Sequence, residues 1–429
     1  MPLRRLLGLS AAVSGHLRRG LSTSTSRPPW AMIYHTKLVD SPVRRVSLEL
    51  AEPPCPSHLL VPAHLVDLEP PSHQDLRNGA VCGTVGRTVV STSGDGLIIV
   101  QFTDLRDEPR VDPRHLSAPM REWANISFDP DMLRFVCNPV SGELFRLPDI
   151  DGTKKSASFS KMGILTQSEL PHQPPDRYAV AVLTEENDWG LQSFVMRRFR
   201  SETGDWDEPV GLPSPFPIAR PFQCQDHEVL AFASRLWWVD LGWGALSADP
   251  FSDQLDLHFV ELPSGRVTVP VDRLRTLGRY RRMGISEGRL RYVEVSKEEP
   301  FVLSSFVLDN DGSSWMLEHQ MALGPLLVHG VHNPRIGVVD PLNSSVIHLT
   351  IGNNALAVDM GKEEVLECST LGEGDGREKL CGFLKPCMLP PWLGSSKMPS
   401  AGTFSSHKAD FRSKTLSDIL VRADQVNKN

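Results

Sequence analysis

The sequence predicts an all-β chain arranged as a β-propeller-like ring of five or six four-stranded blades, with stacked β-sandwiches as the alternative. Three observations predict it. Short alternating runs of β-branched and aromatic residues recur from Lys37 onward between turns rich in Gly, Pro, Asp and Asn. The 35 prolines and 32 glycines among 429 residues break up long helices. Comparable strands begin near Val180, Leu236, Leu290 and Val346, separated by 56, 54 and 56 residues. That is a kelch-like period, long enough for a four-stranded blade and one generous loop.

The first segment reads as an address. Before Asp40 the chain carries Arg4, Arg5, Arg18, Arg19, Arg27 and Lys37 and no acid. On a helical wheel Arg4, Arg5, His16, Arg18 and Arg19 share one arc, while leucines from Leu3 to Leu21 and Val13 fill the other. An amphipathic, Arg- and Ser-rich, acid-free leader has the composition of a mitochondrial transit peptide. Arg19-Gly20-Leu21-Ser22 resembles a matrix processing site and predicts cleavage between Leu21 and Ser22. Residues 1–21 are thus read as leader and 22–36 as a flexible arm. A plastid leader, or a basic surface helix of a cytoplasmic or nuclear protein, is the alternative.

The body is read as one domain from 37 to 392. Its predicted strands include Gly96–Phe102, Met132–Cys137, Tyr178–Leu183, Ser193–Phe199, Leu236–Asp240, Leu257–Leu262, Leu290–Val295, Phe301–Leu308, Val346–Ile351 and Ala355–Asp359. Two motifs recur within the period. A turn followed by Leu and an aromatic stands at Ser234–Trp238 and Gly288–Tyr292. A strand closing on a Gly turn and a tryptophan stands at Arg198–Trp206 and Val307–Trp315. Aromatics in such places are expected to wedge between blades rather than to form ligand platforms. Asn138 to Glu143 (NPVSGE) reads as a turn joining two strands and resembles a turn of F-box-associated propellers, although no F-box precedes it. From 393 the chain turns Ser- and Lys-rich and is read as a mobile tail, with a short helix over 413–426.

Arg235–Pro263 (RLWWVDLGWGALSADPFSDQLDLHFVELP), with Gly284–Ser296 after it, resembles the plant family called domain of unknown function 1618. The resemblance extends to Arg27–Ile33 and Ile351–Asp359. It implies a propeller-like fold and a binding surface, and it brings no activity with it.

Composition narrows the function. A net charge of −7 argues against coating nucleic acid, which needs many cations set against phosphates. No run of 18 or more apolar residues exists, and Val89–Phe102 is interrupted by polar residues and Asp95, so no transmembrane helix is predicted. The seven cysteines are odd in number and lack CxxC spacing, which speaks against a disulfide framework and against zinc at Cys381, Cys387 and His407. Gly284–Gly288 spells G-x-S-x-G around Ser286, but a strand follows where a hydrolase elbow needs a helix. His329 and His332 lack the Glu that metalloprotease chemistry requires. No catalytic residue, metal or cofactor is predicted.

One charge anomaly remains. Arg273, Arg275, Arg279, Arg281, Arg282, Arg289 and Arg291 crowd into 19 residues of an otherwise acidic chain. Arg273 to Arg282 form the candidate patch for an anionic partner, because guanidinium forks suit carboxylate and phosphate. The expectation is therefore a non-catalytic protein-interaction module. A small-molecule enzyme using the central channel is the competing class.

Overall fold

The computed structural model describes residues 27–66, 85–104, 131–153, 161–170, 173–188, 191–216, 220–222, 228–268, 274–326, 333–371, 384–395 and 397–400. Five antiparallel blades stand in a ring. Blade 1 contains β4 (Val85–Thr92), β5 (Ile98–Asp104), β6 (Asp131–Cys137) and β7 (Leu144–Arg146). Blade 2 contains β8 (Met162–Gln167), β9 (Arg177–Asp188), β10 (Leu191–Arg200) and β11 (Asp205–Trp206), with β12 (Val210–Pro213) added beside β10. Blade 3 runs through β13 (Val229–Phe232), β14 (Arg235–Asp240), β15 (Gly244–Ala248) and β16 (His258–Glu261). Blade 4 runs through β17 (Arg281–Ser286), β18 (Arg289–Val295), β19 (Val302–Leu308) and β20 (Trp315–Ala322). Blade 5 runs through β21 (Arg335–Val339), β22 (Val346–Ile351), β23 (Asn354–Asp359) and β24 (Glu364–Thr370).

A mixed sheet drawn from both ends of the chain completes the ring. It holds β1 (Trp30–Val39), β2 (Ser47–Glu49), β3 (Ser57–Pro62) and the late strand β25 (Lys385–Met388) in the order β2-β3-β1-β25. β1 pairs antiparallel with β25, placing Trp30 opposite Met388, and parallel with β3. The expected boundary at 37 is corrected by this pairing: residues from Trp30 belong to the fold because their amides and carbonyls bond to β25. The tail also starts later than expected, since Pro391–Gly394 form a 3-10 turn that buries Leu393. Residues 1–26 and 401–429, including Leu21, Ser22 and the expected late helix, lie outside the described residues.

The period-two pattern explains why the blades stack. A strand inside a propeller buries both faces, one against each neighbouring blade, so it reads as a continuous apolar run. In β9, Tyr178, Val180 and Val182 pack into the core beside blade 1, while Ala181 and Leu183 pack toward blade 3. In β14, Leu236 and Trp238 join the core shared with blade 2, and Trp237 and Val239 the core shared with blade 4. β18 divides in the same way, with Leu290 and Tyr292 on one side and Val293 and Val295 on the other. In β1, Ala31 and Ile33 pack with blade 1, and Trp30 and Met32 pack against Val338 of blade 5. Each fully buried aliphatic side chain contributes roughly 1.5–3 kcal/mol, so the interblade layers hold the ring.

The four strands that set the period, β9, β14, β18 and β22, are the second strands of consecutive blades. The tryptophans wedge between blades. Trp206 Nε1 donates to Pro148 O at 2.9 Å, and Trp315 Nε1 donates to Glu261 O of the preceding blade at 2.7 Å. Asn138 organises the NPVSGE turn: its Oδ1 accepts the amides of Val140 and Ser141 at 3.0 Å, and its Nδ2 donates to Leu393 O at 2.9 Å. Gly142 has φ +74°, and a Cβ there would lie 2.3 Å from Val46 O, so both its conformation and its neighbour demand glycine.

Candidate functional site

The first strands β4, β8, β13, β17 and β21, together with β25, surround the centre of the ring. Residues of β4, β13, β17, β21 and β25 and of the segments flanking them line an open channel cavity of about 170 Å3. Most of its wall is apolar, including Val229, Ile285, Val338 and Val339. One end is charged. Each connector between blades delivers the chain to the start of an inner strand, and there the sequence places Glu228 just before β13, Arg282 at the second position of β17 and Lys385 at the first position of β25. All three are buried.

Arg282 ties the charged end together. Its Nε lies 3.0 Å from Glu228 Oε1, and its Nη2 donates to Leu384 O at 3.1 Å. The Glu228 carbonyl accepts the Val239 amide at 3.0 Å, which anchors that residue to its own blade. Toward the far ends of the inner strands, Thr92 Oγ1 donates to Pro386 O at 2.8 Å and joins blade 1 to the closing sheet. Close approach around the channel depends on a small residue in β8: a Cβ on Gly163 would stand 2.5 Å from Val229 Cγ1.

The described arginines of the cluster are distributed rather than gathered on one face. Arg281 donates to Leu241 O at 3.0 Å and Arg266 O at 2.8 Å, and stands 3.7 Å from Glu294. Arg282 turns into the channel. Arg289 donates to Leu308 O at 3.1 Å, and Arg291 is buried in an ion pair with Glu318. Arg279 closes the 3-10 turn Leu274–Arg279 and is half-buried. The side chain of Arg275 and all of Arg273 lie outside the described residues.

The remaining motifs find plain structural places. Ser286 ends β17 and is buried, and the two-residue turn Glu287–Gly288, with φ 50° and 67°, leads directly into β18. Positive φ at both turn positions is the type I′ hairpin geometry, so no helix amide points at Ser286. Cys387 lies buried in β25, whereas Cys381, His407, His329 and His332 are outside the described residues. Among the described residues, no helix is long and apolar enough to cross a membrane, and no three His, Cys, Asp or Glu side chains gather in metal-binding geometry.

Sequence reasoning singled out Arg282 but not Glu228 or Lys385. Each is a lone charge in a connector region, and no local pattern links them. The usable signal was positional: in a propeller, the channel is lined from the first strands of the blades, and all three charges lie within two residues of where such a strand, or β25, begins.

The fold and this polar-ended channel define a β-propeller with an internal cavity. Residues 238–347 match the family described as protein of unknown function, DUF1618, which is the family that the WVDL motif resembles. The other two resembling stretches lie outside that match. No curated protein matches the chain. Among solved structures, the periplasmic gluconolactonase of Pseudomonas aeruginosa aligns at 11% identity and a TM-score of 0.29, covering 70% of this chain and 88% of its own. A family 117 glycoside hydrolase from the marine bacterium Zobellia galactanivorans aligns at 10% identity and 0.29, covering 65% and 80%. Likeness at this level transfers no chemistry.

Proposed function

We propose that the protein is a non-catalytic binding module of mitochondria that docks a protein partner on the rim built by its interblade connectors. The observation that carries this reading is the common landing point of those connectors. Glu228, Arg282 and Lys385 stand where three of those connectors hand the chain to β13, β17 and β25, in blades with buried layers on both faces. Rigid blades with variable connections suit recognition, since the connections can change without disturbing the core. Arg279 stands half-buried on the connector between blades 3 and 4, and in sequence Arg273 and Arg275 complete the basic segment. Arg281 and Arg282 serve the fold beneath it. The acid-free leader with its processing site between Leu21 and Ser22 supports the mitochondrial address.

Two experiments test the reading. Replacing Arg273, Arg275 and Arg279 by Ala is expected to weaken retention of the folded protein on an anionic resin and recovery of its partner, and unchanged retention with unchanged recovery would remove the basic segment from the interface. Organelle fractionation with terminal peptide mapping is expected to find a mitochondrial product starting at Ser22. An intact Met1 in cytosol or nucleus would overturn the address.

A further inference from the structure

We infer that the channel is a binding site for a small uncharged molecule with an apolar body, about the size of one aromatic ring. This site is separate from the connector rim and does not rest on the docking reading.

The polar side chains of the described lining are already engaged within the protein. Arg282 and Glu228 pair at 3.0 Å, Arg282 also donates to Leu384 O, and Lys385 has its own partner. Thr92 Oγ1 donates to Pro386 O at 2.8 Å, and Ser93 Oγ accepts the Leu97 amide at 3.0 Å. An anion seated at the charged end would have to draw Arg282 away from Glu228, and a cation would have to draw Glu228 away from Arg282. Either exchange strips a buried charge of its partner, so the channel disfavours ions of both signs.

Hydrocarbon is what the channel leaves uncovered. Leu230 and Ile285 line it and are only half-buried, and Val229, Val338 and Val339 continue the same wall. Water against such a wall is short of hydrogen-bond partners, so an apolar occupant that displaces it gains affinity. A sugar or a phosphate ester placed there would leave its own polar groups unpaired. Size agrees: an apolar cavity of about 150 Å3 holds benzene, and this one measures about 170 Å3. An apolar wall with few polar groups, all of them engaged, is the complement of an aromatic ring or a short branched hydrocarbon without charge.

The test uses the full chain with fluorobenzene as probe and with 4-fluorobenzoate and 4-fluorobenzylamine as its anionic and cationic counterparts, read by ligand-observed fluorine NMR and by thermal unfolding. Fluorobenzene at ten times its Kd should raise the unfolding midpoint by about 2 °C. Both charged probes should bind at least tenfold more weakly, because each must disturb the Glu228–Arg282 pair. Ile285→Asn, which puts an amide on the wall, should weaken fluorobenzene at least tenfold. Gly94→Phe, built where a Cβ meets nothing within 4 Å beside the cavity, should weaken it by plugging the channel. Gly94→Phe leaves the wall and every charge in place and keeps the test open should Ile285→Asn fail to fold. No fluorobenzene binding, equal binding of either charged probe, or unchanged binding in both variants would overturn the inference.

Discussion

Glu228 and Arg282 form a buried ion pair at 3.0 Å that links the inner strands of two adjacent blades at the mouth of the channel. Each residue stands where an interblade connector leads into its inner strand, so the contact ties blade 3 to blade 4 beside the channel. Removing one partner leaves the other charge buried and uncompensated. Arg282→Met is therefore expected to destabilise the fold by about 3–5 kcal/mol. The double variant Arg282→Met with Glu228→Gln should lose less than Arg282→Met alone. Urea unfolding of the two variants checks the prediction, and a double variant that loses as much as Arg282→Met or more would contradict it.

The close approach of β8 to blade 3 gives a steric prediction. A Cβ at Gly163 would sit 2.5 Å from Val229 Cγ1 and 2.9 Å from Leu236 Cδ2. Gly163→Val is expected to cost about 1–3 kcal/mol by overpacking this layer. A urea midpoint equal to that of the wild type would show that the layer yields.

The turn between β19 and β20 gives a pH prediction. Asp309 is held down at about 2, chiefly by the hydroxyl of Ser314, with the Ser313 amide assisting. A depressed carboxylate pKa stabilises the fold above the ordinary range near 4, and that contribution is lost as pH falls through the folded value. Asp309→Asn should therefore be less stable than wild type at pH 6, with the gap closing between about pH 4 and 2. A gap that stays constant down to pH 2 would contradict the assignment.

Thiol chemistry follows burial. Burial pushes Cys387 up to about 12 and drives Cys137 higher still, with Cys387 adding to the shift. Only thiolate reacts, so both should resist iodoacetamide at pH 8 in the native protein and react after unfolding. Cys368 on β24 is exposed and should be alkylated before either of them. Peptide mass mapping reads all three, and native labelling of Cys387 would mean that the closing sheet opens.

Much of the ring was legible because its signal is local and repeated. Strands such as β9, β14 and β18 announce themselves through apolar runs buried on both faces, and their spacing exposes the blade period. The tryptophans at 206 and 315 fell at equivalent places, and their wedging followed from that. The closing sheet was harder to read. Trp30–Ile33 must pair with Lys385–Met388 across almost the whole chain, and the parallel pairing of β1 with β3 departs from a simple meander. Neither pairing leaves a local trace. The charged end of the channel was hidden for the same reason, since Glu228, Arg282 and Lys385 come together only through closure. The arginine run shows the converse: neighbours in sequence diverge, because alternation sends Arg281 and Arg282 to opposite faces of β17, one beside Glu294 and the other beside Glu228.

The central claim, a partner docked on the connector rim, is tested most directly by site-specific photocrosslinking in mitochondria. A benzoylphenylalanine at position 279 samples the rim, and one at position 343 samples the turn at the opposite end of the inner strands. The account predicts one discrete adduct from position 279, lost when Arg273 and Arg275 are changed to Glu, and none from position 343. Adducts from position 343 alone, or equal adducts from both positions, would contradict it.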